Sequence, residues 1–419
     1  MNSNSFPGPQ DITRVVLDNG ITVLVRENHA APVAVLDGCL PVGALHDPAG
    51  KGGLSSFVAA LVTRGSAHYD FDVFNETIES IGASLAVASE THTTAFSTTS
   101  LSEDFPQMVA VLADVLQRPT FPAPHVERVR QQKLVSIQER AEDTQRTASL
   151  RFYETIYPNH PYGRAVSGYK ESVTAIGRED LVQFYNDLYT PHGAVIVVVG
   201  DVQAAQVLDL LHQHLGDWHG PPSNQTVPAV ARPLGIQRVT IPMSGKVQSD
   251  LVIGCPAIPR QHPDYYTMRV ANTILGVFGM MGRLGERVRE EQGLAYYSYS
   301  SHDAELYAGV WLAEAGVNPA NVTQATESIL AEFARLGSEL VGDEELADSQ
   351  AYMTGILPLA LETNGGVAAR LLDMEWYGLG LDYLQRYRDL INHITPADVQ
   401  RVAQHYLRSD NYTLVVAGP

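Results

Sequence analysis

Ile176-GREDLVQFYNDLYTPHGAVIVVVG, closing at Gly200, is echoed by Ile394-TPADVQRVAQHYLRSDNYTLVVAG, closing at Gly418. Both read as a capped helix, with Glu179/Asp180 in one and Ala397/Asp398 in the other. Each helix ends in a tyrosine and turns into an apolar strand closed by glycine. The offset is 218 residues, with one residue slipped in the turn. VLDGC, ending at Cys39, and LVIGC, ending at Cys255, repeat at 216. One helix–turn–strand unit resembles another in any protein. Two echoes at nearly one offset, close to half of the 419 residues, point instead to a duplicated domain.

Between the halves lies Gly220-PPSNQTVPAVARPLG, with four prolines in sixteen residues, a composition that resists helix and strand alike. The expected division is therefore 1–220, a connector at 221–235, and 236–419. Ile21-TVLV and Val33-AVLDGCL are β-rich runs joined by a polar turn, which predicts an antiparallel pair. Phe105, Met108, Val109, Leu112, Val115 and Leu116 recur at helical spacing within 102–117, and Val322, Ala325, Ile329, Phe333 and Leu336 do the same. Strands mixed with helices, without steady βαβ alternation, predict an α+β fold. Each half is expected to be a largely antiparallel sheet with helices packed on one face.

Apolar residues make up 45% and charged residues 18%, so the chain can build packed cores and is not disordered. A net charge of −19 argues against general binding to nucleic acid or anionic membrane. Two cysteines, Cys39 and Cys255, exclude a disulfide framework and a four-cysteine zinc site, and leave one bridge open. No basic segment followed by an apolar run opens the sequence, and no run of 18 apolar residues occurs. A cytoplasmic protein is expected, with a periplasmic one left open.

Nucleophile-elbow, phosphate-loop and dinucleotide signatures are absent, and none of the 14 histidines adjoins a glutamate. His212, His214 and His219 cluster near the end of one helix, where three imidazoles could hold a metal. A solvated helix end before a proline-rich connector is the commoner origin of such a cluster.

Leu17-DNGITVLVREN, Gly53-LSSFVAALVTRGS, His160-PYGRAVSG, Val195-IVVVGDV and Arg289-EEQGLAYYSYSS follow in order along the chain. Together they resemble the signature segments of the pitrilysin/insulinase-type inverted-zinc metallopeptidases. The chain is most similar to the short-chain branch that includes mitochondrial processing peptidase. The resemblance implies two subunits of similar size, each with two related α+β domains, closed around a peptide chamber.

Active members carry a segment resembling G-L-A-H-F-L-E-H at Gly53. Its histidines would bind zinc, and its glutamate would deprotonate the metal-bound water. Here Ser56 stands at the first histidine, Ala59 at the glutamate and Ala60 at the second histidine. A further zinc-binding glutamate would fall near Ser136 or Ile137, with Glu139 out of register. Catalytic zinc needs three protein ligands and a water. No metal is therefore expected in this chain, and Zn is expected in a partner subunit.

The family also uses an arginine and a tyrosine seven residues apart. The tyrosine donates to the oxyanion of the tetrahedral intermediate, and the arginine holds a substrate carbonyl. Arg289 and Tyr296 have that spacing in a matching G-L-A-Y context, so the resemblance assigns them these catalytic roles. The same residues also fit an arginine paired with Glu286 or Glu290 and a tyrosine that starts a strand. Gly276, Gly279 and Gly282 resemble the glycine-rich turn before this helix and allow close backbone approach.

The resemblance then implies a zinc-free subunit, inactive alone, in a heterodimeric zinc metallopeptidase whose homologous partner carries H-x-x-E-H. The substrate would be a peptide, basic or unstructured if charge guides it. A non-catalytic structural or peptide-binding subunit is the alternative, and an isolated chain could pair with itself.

Overall fold

A strand that is apolar at every position gains most when both its faces are buried. Val195–Gly200 is such a strand, and all six of its residues are buried. The computed structural model describes residues 6–222, 227–230 and 234–419. It resolves into two compact units. The first comprises Met1–Gln138, Ala165–Val227 and Ala360–Gln385; the second comprises Glu139–Arg164, Pro228–Leu359 and Arg386–Pro419.

The first unit holds β1 (Thr13–Val16), β2 (Thr22–Glu27), β3 (Val33–Leu40), β4 (Ser84–Ser89), β5 (Thr94–Leu101) and β6 (Val195–Gly200). They form one sheet in the order β1-β2-β6-β3-β5-β4, antiparallel except where β2 runs parallel to β6. The expected pairing of β2 with β3 is therefore wrong. Thr22 faces Val195 and Cys39 faces Val195 from the other side, so β6 separates the two. The physical reason is the composition of β6, which would expose a row of valines at an edge.

Alternation along β3 puts Leu36 and Leu40 on the face that meets Phe57 and Leu61 of the helix Leu54–Leu61. Met108, Leu112 and Leu116 of the helix Phe105–Gln117 complete this core. Val35, Cys39, Val197 and Val199 point to the opposite face. The helix Asn364–Trp376 packs there, burying Val367, Leu371 and Met374.

The second unit holds β7 (Gln237–Pro242), β8 (Ser249–Ala257), β9 (Ala295–Ala304), β10 (Gly309–Val317) and β11 (Thr413–Gly418). Their order, β7-β11-β8-β10-β9, with only β7 and β11 parallel, repeats β2-β6-β3-β5-β4 strand for strand. The duplication read from the echoes is thus a repeat of topology. Trp311, Ile329, Phe333 and Val399 lie in its core beneath the helices Tyr265–Gly276, Val322–Ser338 and Pro396–Tyr406.

The other face of this sheet carries the helix Thr144–Ile156 against β8 and β11, with Asp250 and Glu314 set beside buried Val252, Leu312 and Val415. Thr144 donates to Asp250 at 2.5 Å, Gln145 to Glu314 at 3.2 Å, and the Tyr153 hydroxyl to Asp303. A cut between 1–220 and 236–419 separates the strands of the two sheets. The compact units also exchange Glu139–Arg164 and Ala360–Gln385 across it. Of the connector 221–235, residues 223–226 and 231–233 lie outside the described residues.

Cys39 and Cys255 are free and buried in β3 and β8, so the bridge left open by composition is not formed. Burial pushes both thiols up to about 12. Among the described residues no helix is long and apolar enough to cross a membrane.

Candidate functional site

The helix Leu54–Leu61 begins at Gly53, whose φ of 93° suits glycine and where a Cβ would come within 2.8 Å of the Ser167 carbonyl oxygen. The carboxylate of buried Asp47 accepts from the backbone N–H of Gly53 and of Ser55, each at 2.7 Å. It thereby satisfies two donors that the first turn leaves without helical partners. Ser56 is half-buried on the next position, Ala59 is fully buried and Ala60 is half-buried.

Opposite Ser56 stands a residue to which the sequence reading assigned nothing. Lys133, on the helix Ala123–Glu142, donates from Nζ to Ser56 Oγ at 2.6 Å. Its ammonium lies 5.8 Å from the centroid of the Phe57 ring, and Arg130 Cζ lies 5.4 Å from the same ring. Burial lowers the Lys133 pKa to about 8, although the charge of Asp47 pulls the other way. Ser136 and Glu139 are exposed and Ile137 is buried. The side chain that reaches the motif thus lies one turn earlier on the helix than the expected ligand position.

These residues do not fit zinc. A hydroxyl already engaged by an ammonium, together with two methyl groups, offers no ligand set, and a positive charge at 2.6 Å from Ser56 Oγ opposes a dication. Among the described residues no three His, Cys, Asp or Glu side chains gather as a metal site, and this includes His212, His214 and His219.

Below the same helix, Asp114 is buried and accepts from Ser66 Oγ at 2.5 Å, His68 N at 3.1 Å and Arg118 Nε at 2.9 Å. Nδ1 of His68 lies 2.8 Å from Asp114 Oδ1, the oxygen that also meets Arg118, while Ser66 and His68 N share Oδ2. Burial would raise its pKa, but the hydrogen bonds from Ser66 and His68 and the charge of Arg118 hold it below the usual carboxylate value. This cluster fixes the loop that follows the helix.

In the second unit the helix Tyr265–Gly276 runs into a segment with positive φ at Gly279 (61°), Met281 (75°) and Gly282 (60°). The chain then enters a π-helical turn, Gly285–Glu291, which carries Arg289. Arg283 anchors the start of this turn through paired bonds of 2.6 Å to Glu345. Buried Val288 and Leu294 anchor its end, where Leu294 N donates to the Val288 carbonyl and Gly293 N to the Arg289 carbonyl, both at 3.0 Å. β9 follows at once and packs against the turn.

Ala295 pairs with Val317 and Tyr297 with Gly316, so Tyr296 is the extra residue of a β-bulge on an edge strand. A bulge re-aims its side chain. Tyr296 is 66% exposed, whereas Tyr297 and Tyr299 are tied at 2.6 and 2.9 Å to Asp250 and Glu314 on the face that carries the helix Thr144–Ile156. Arg289 is partly exposed and meets Glu290 through Nε at 3.4 Å. The structure therefore places both residues on adjoining elements of one unit, with the arginine leaning on Glu290 and not on Glu286.

Residues 22–170 match the family described as Insulinase (Peptidase family M16), and residues 175–353 match Peptidase M16 inactive domain. The chain belongs to the insulinase family of peptidases. The chain is similar to an uncharacterized zinc protease of Mycobacterium bovis, 27% identical over 97% of this chain and 93% of that protein. A probable mitochondrial-processing peptidase subunit beta of Schizosaccharomyces pombe is 24% identical over 96% of this chain and 90% of its own length. Among solved insulinase-family folds, a peptidase M16 inactive domain from Pseudomonas fluorescens superposes with a TM-score of 0.91. The two are 24% identical, with 97% and 98% of the chains covered. That last likeness is one of fold.

Proposed function

We propose that this chain is the zinc-free subunit of a two-subunit peptidase, supplying Arg289 and Tyr296 to a peptide held at the H-x-x-E-H zinc site of a homologous partner. The observation that supports this most is the contrast between its two units. In the first, Lys133 donates to Ser56, the position that the family resemblance gives to a zinc-binding histidine. In the second, a bulge turns Tyr296 outward at 66% exposure beside the arginine-bearing turn.

Each residue has a distinct task. The Tyr296 phenol would donate one hydrogen bond to the oxygen that gains charge as a peptide carbonyl becomes tetrahedral. Arg289 would hold a neighbouring substrate carbonyl through its planar fork of N–H donors, fixing an extended backbone. The π-helical turn and the two backbone bonds at Arg289 and Val288 would set the spacing between them. Neither side chain can cleave a peptide without the partner.

The test is native mass spectrometry with zinc analysis on the chain purified from its own host, followed by Tyr296→Phe in the pair. A one-to-one complex carrying one zinc is expected. Turnover should fall at least ~10-fold in the variant, with complex formation unchanged. Unchanged turnover would remove the oxyanion role. A zinc-free monomer or homodimer would favour a structural or peptide-binding subunit.

A further inference from the structure

The chain has four lysines, at 51, 133, 170 and 246. Lys51 pairs with Asp180 at 2.7 Å, Lys246 with Glu142 at 3.5 Å, and Lys170 is exposed. Lys133 is half-buried, and the charge of Asp47 acts on it without a direct ion pair among the described residues. Its hydrogen-bond partner is the neutral hydroxyl of Ser56, and its nearest ring is that of Phe57. Burial opposes the ammonium more than the charge of Asp47 supports it, so the amine more often presents a free lone pair.

We propose that Lys133 is an acylation site, whose Nζ accepts an acyl group from an activated acyl donor. The Nζ lone pair attacks the carbonyl carbon and forms an N–C bond. The bond from that carbon to sulfur or to phosphate oxygen breaks, the leaving group departs with its electron pair, and one amine proton passes to water. No oxidation or reduction is involved. The amide product is neutral, so the burial that penalises the ammonium favours it. It also keeps one N–H for Ser56 while removing the positive charge from the place a metal would take. Modification would thus alter this site without unfolding it.

A pKa of about 8 leaves roughly a quarter of Lys133 neutral at pH 7.5, against about 0.1% for an ordinary lysine. Lower basicity gives back about tenfold in nucleophilicity, by analogy with thiols. The net expectation is labelling at least ~10-fold faster than at Lys170.

The full chain is incubated at pH 7.5 with acetyl-coenzyme A or, separately, acetyl phosphate, and the lysines are read by peptide mass spectrometry. Cleavage at arginine releases the segments between Arg130 and Arg140 and between Arg164 and Arg178 whether or not their lysines are acylated. Faster modification of Lys133 than Lys170 with either donor is expected, and the responding donor identifies the source. The ratio should collapse to about one in the urea-unfolded chain, and Lys133→Arg should lose the signal. A folded-state rate at Lys133 equal to or below that at Lys170 with both donors would overturn the proposal, as would a ratio that survives unfolding.

Discussion

Replacing Lys133 with methionine tests the electrostatics of the closed site. The ordinary lysine value of 10.5 falls to about 8 in the folded chain. That difference corresponds to about 3 kcal/mol by which burial opposes the ammonium at pH 7. Methionine has similar length, fills the same space and carries no charge. It loses the 2.6 Å bond to Ser56, worth ~1 kcal/mol, and leaves Ser56 Oγ its longer contact to the Gly53 carbonyl at 3.5 Å. The expected net gain is ~2 kcal/mol at pH 7, or ~4–8 °C in Tm for a unit of this size.

The pH dependence has a fixed sign. The folded pKa lies below the unfolded one, so between about 8 and 10.5 the unfolded chain binds more protons and wild-type stability rises with pH. Below that window the cost is constant, and above it the cost is gone. Urea titrations of both proteins at pH 7 and pH 10.5 should show the methionine advantage disappearing. A variant less stable than wild type at pH 7, or a difference equal at both pH values, would refute the reasoning.

Asp114→Asn should cost ~1–2 kcal/mol at pH 7 by urea titration, because the buried amide offers one acceptor oxygen where the carboxylate meets buried Ser66 and the exposed His68 and Arg118. The lowered Asp114 pKa means its contribution is present above the ordinary 3.8 and is lost as pH falls through the folded value, so the variant should show weaker acid sensitivity. Gly282→Ala should destabilise by ~2–3 kcal/mol, since φ is +60° and a Cβ would sit 2.5 Å from the Ile274 carbonyl oxygen. Gly279→Ala, with φ +61° but open space, should cost only ~1 kcal/mol in the same measurement. Ser56→His/Ala59→Glu/Ala60→His should bind zinc weakly while Lys133 remains. Adding Lys133→Ala should raise affinity at least ~10-fold in chelator competition by removing the nearby charge; equal affinities would show that the ammonium does not oppose the metal.

The echoes at Gly200/Gly418 and Cys39/Cys255 were legible because they fall on central strands, where burial on both faces leaves little freedom of composition. The neighbour of β2 was not legible from the turn that follows it. Its partner β6 lies far along the chain, and local polarity carries no trace of an inserted strand. Ser56, Ala59 and Ala60 could be read because the family pattern marks their positions. Lys133 could not, because matching ligand to ligand pointed to 136 and 137, and a lysine belongs to no zinc pattern. The available signal was its rarity, as one of four lysines set within a long helix. The bulge at Tyr296 was equally hidden, since a register shift depends on β10 as much as on β9.

The exchange of helices also affects how the protein is made. A ribosome adding about 5–20 residues per second finishes β6 well before it reaches Asn364–Trp376. For on the order of ten to thirty seconds at that speed, Val35, Cys39, Val197 and Val199 are without the helix that covers them. The first sheet in the sequence therefore cannot mature on emergence, and an amino-terminal half expressed alone would keep an adhesive face. Vectorial synthesis and native packing are out of step in this chain, and a nascent-chain chaperone is the cellular component suited to bridge that interval.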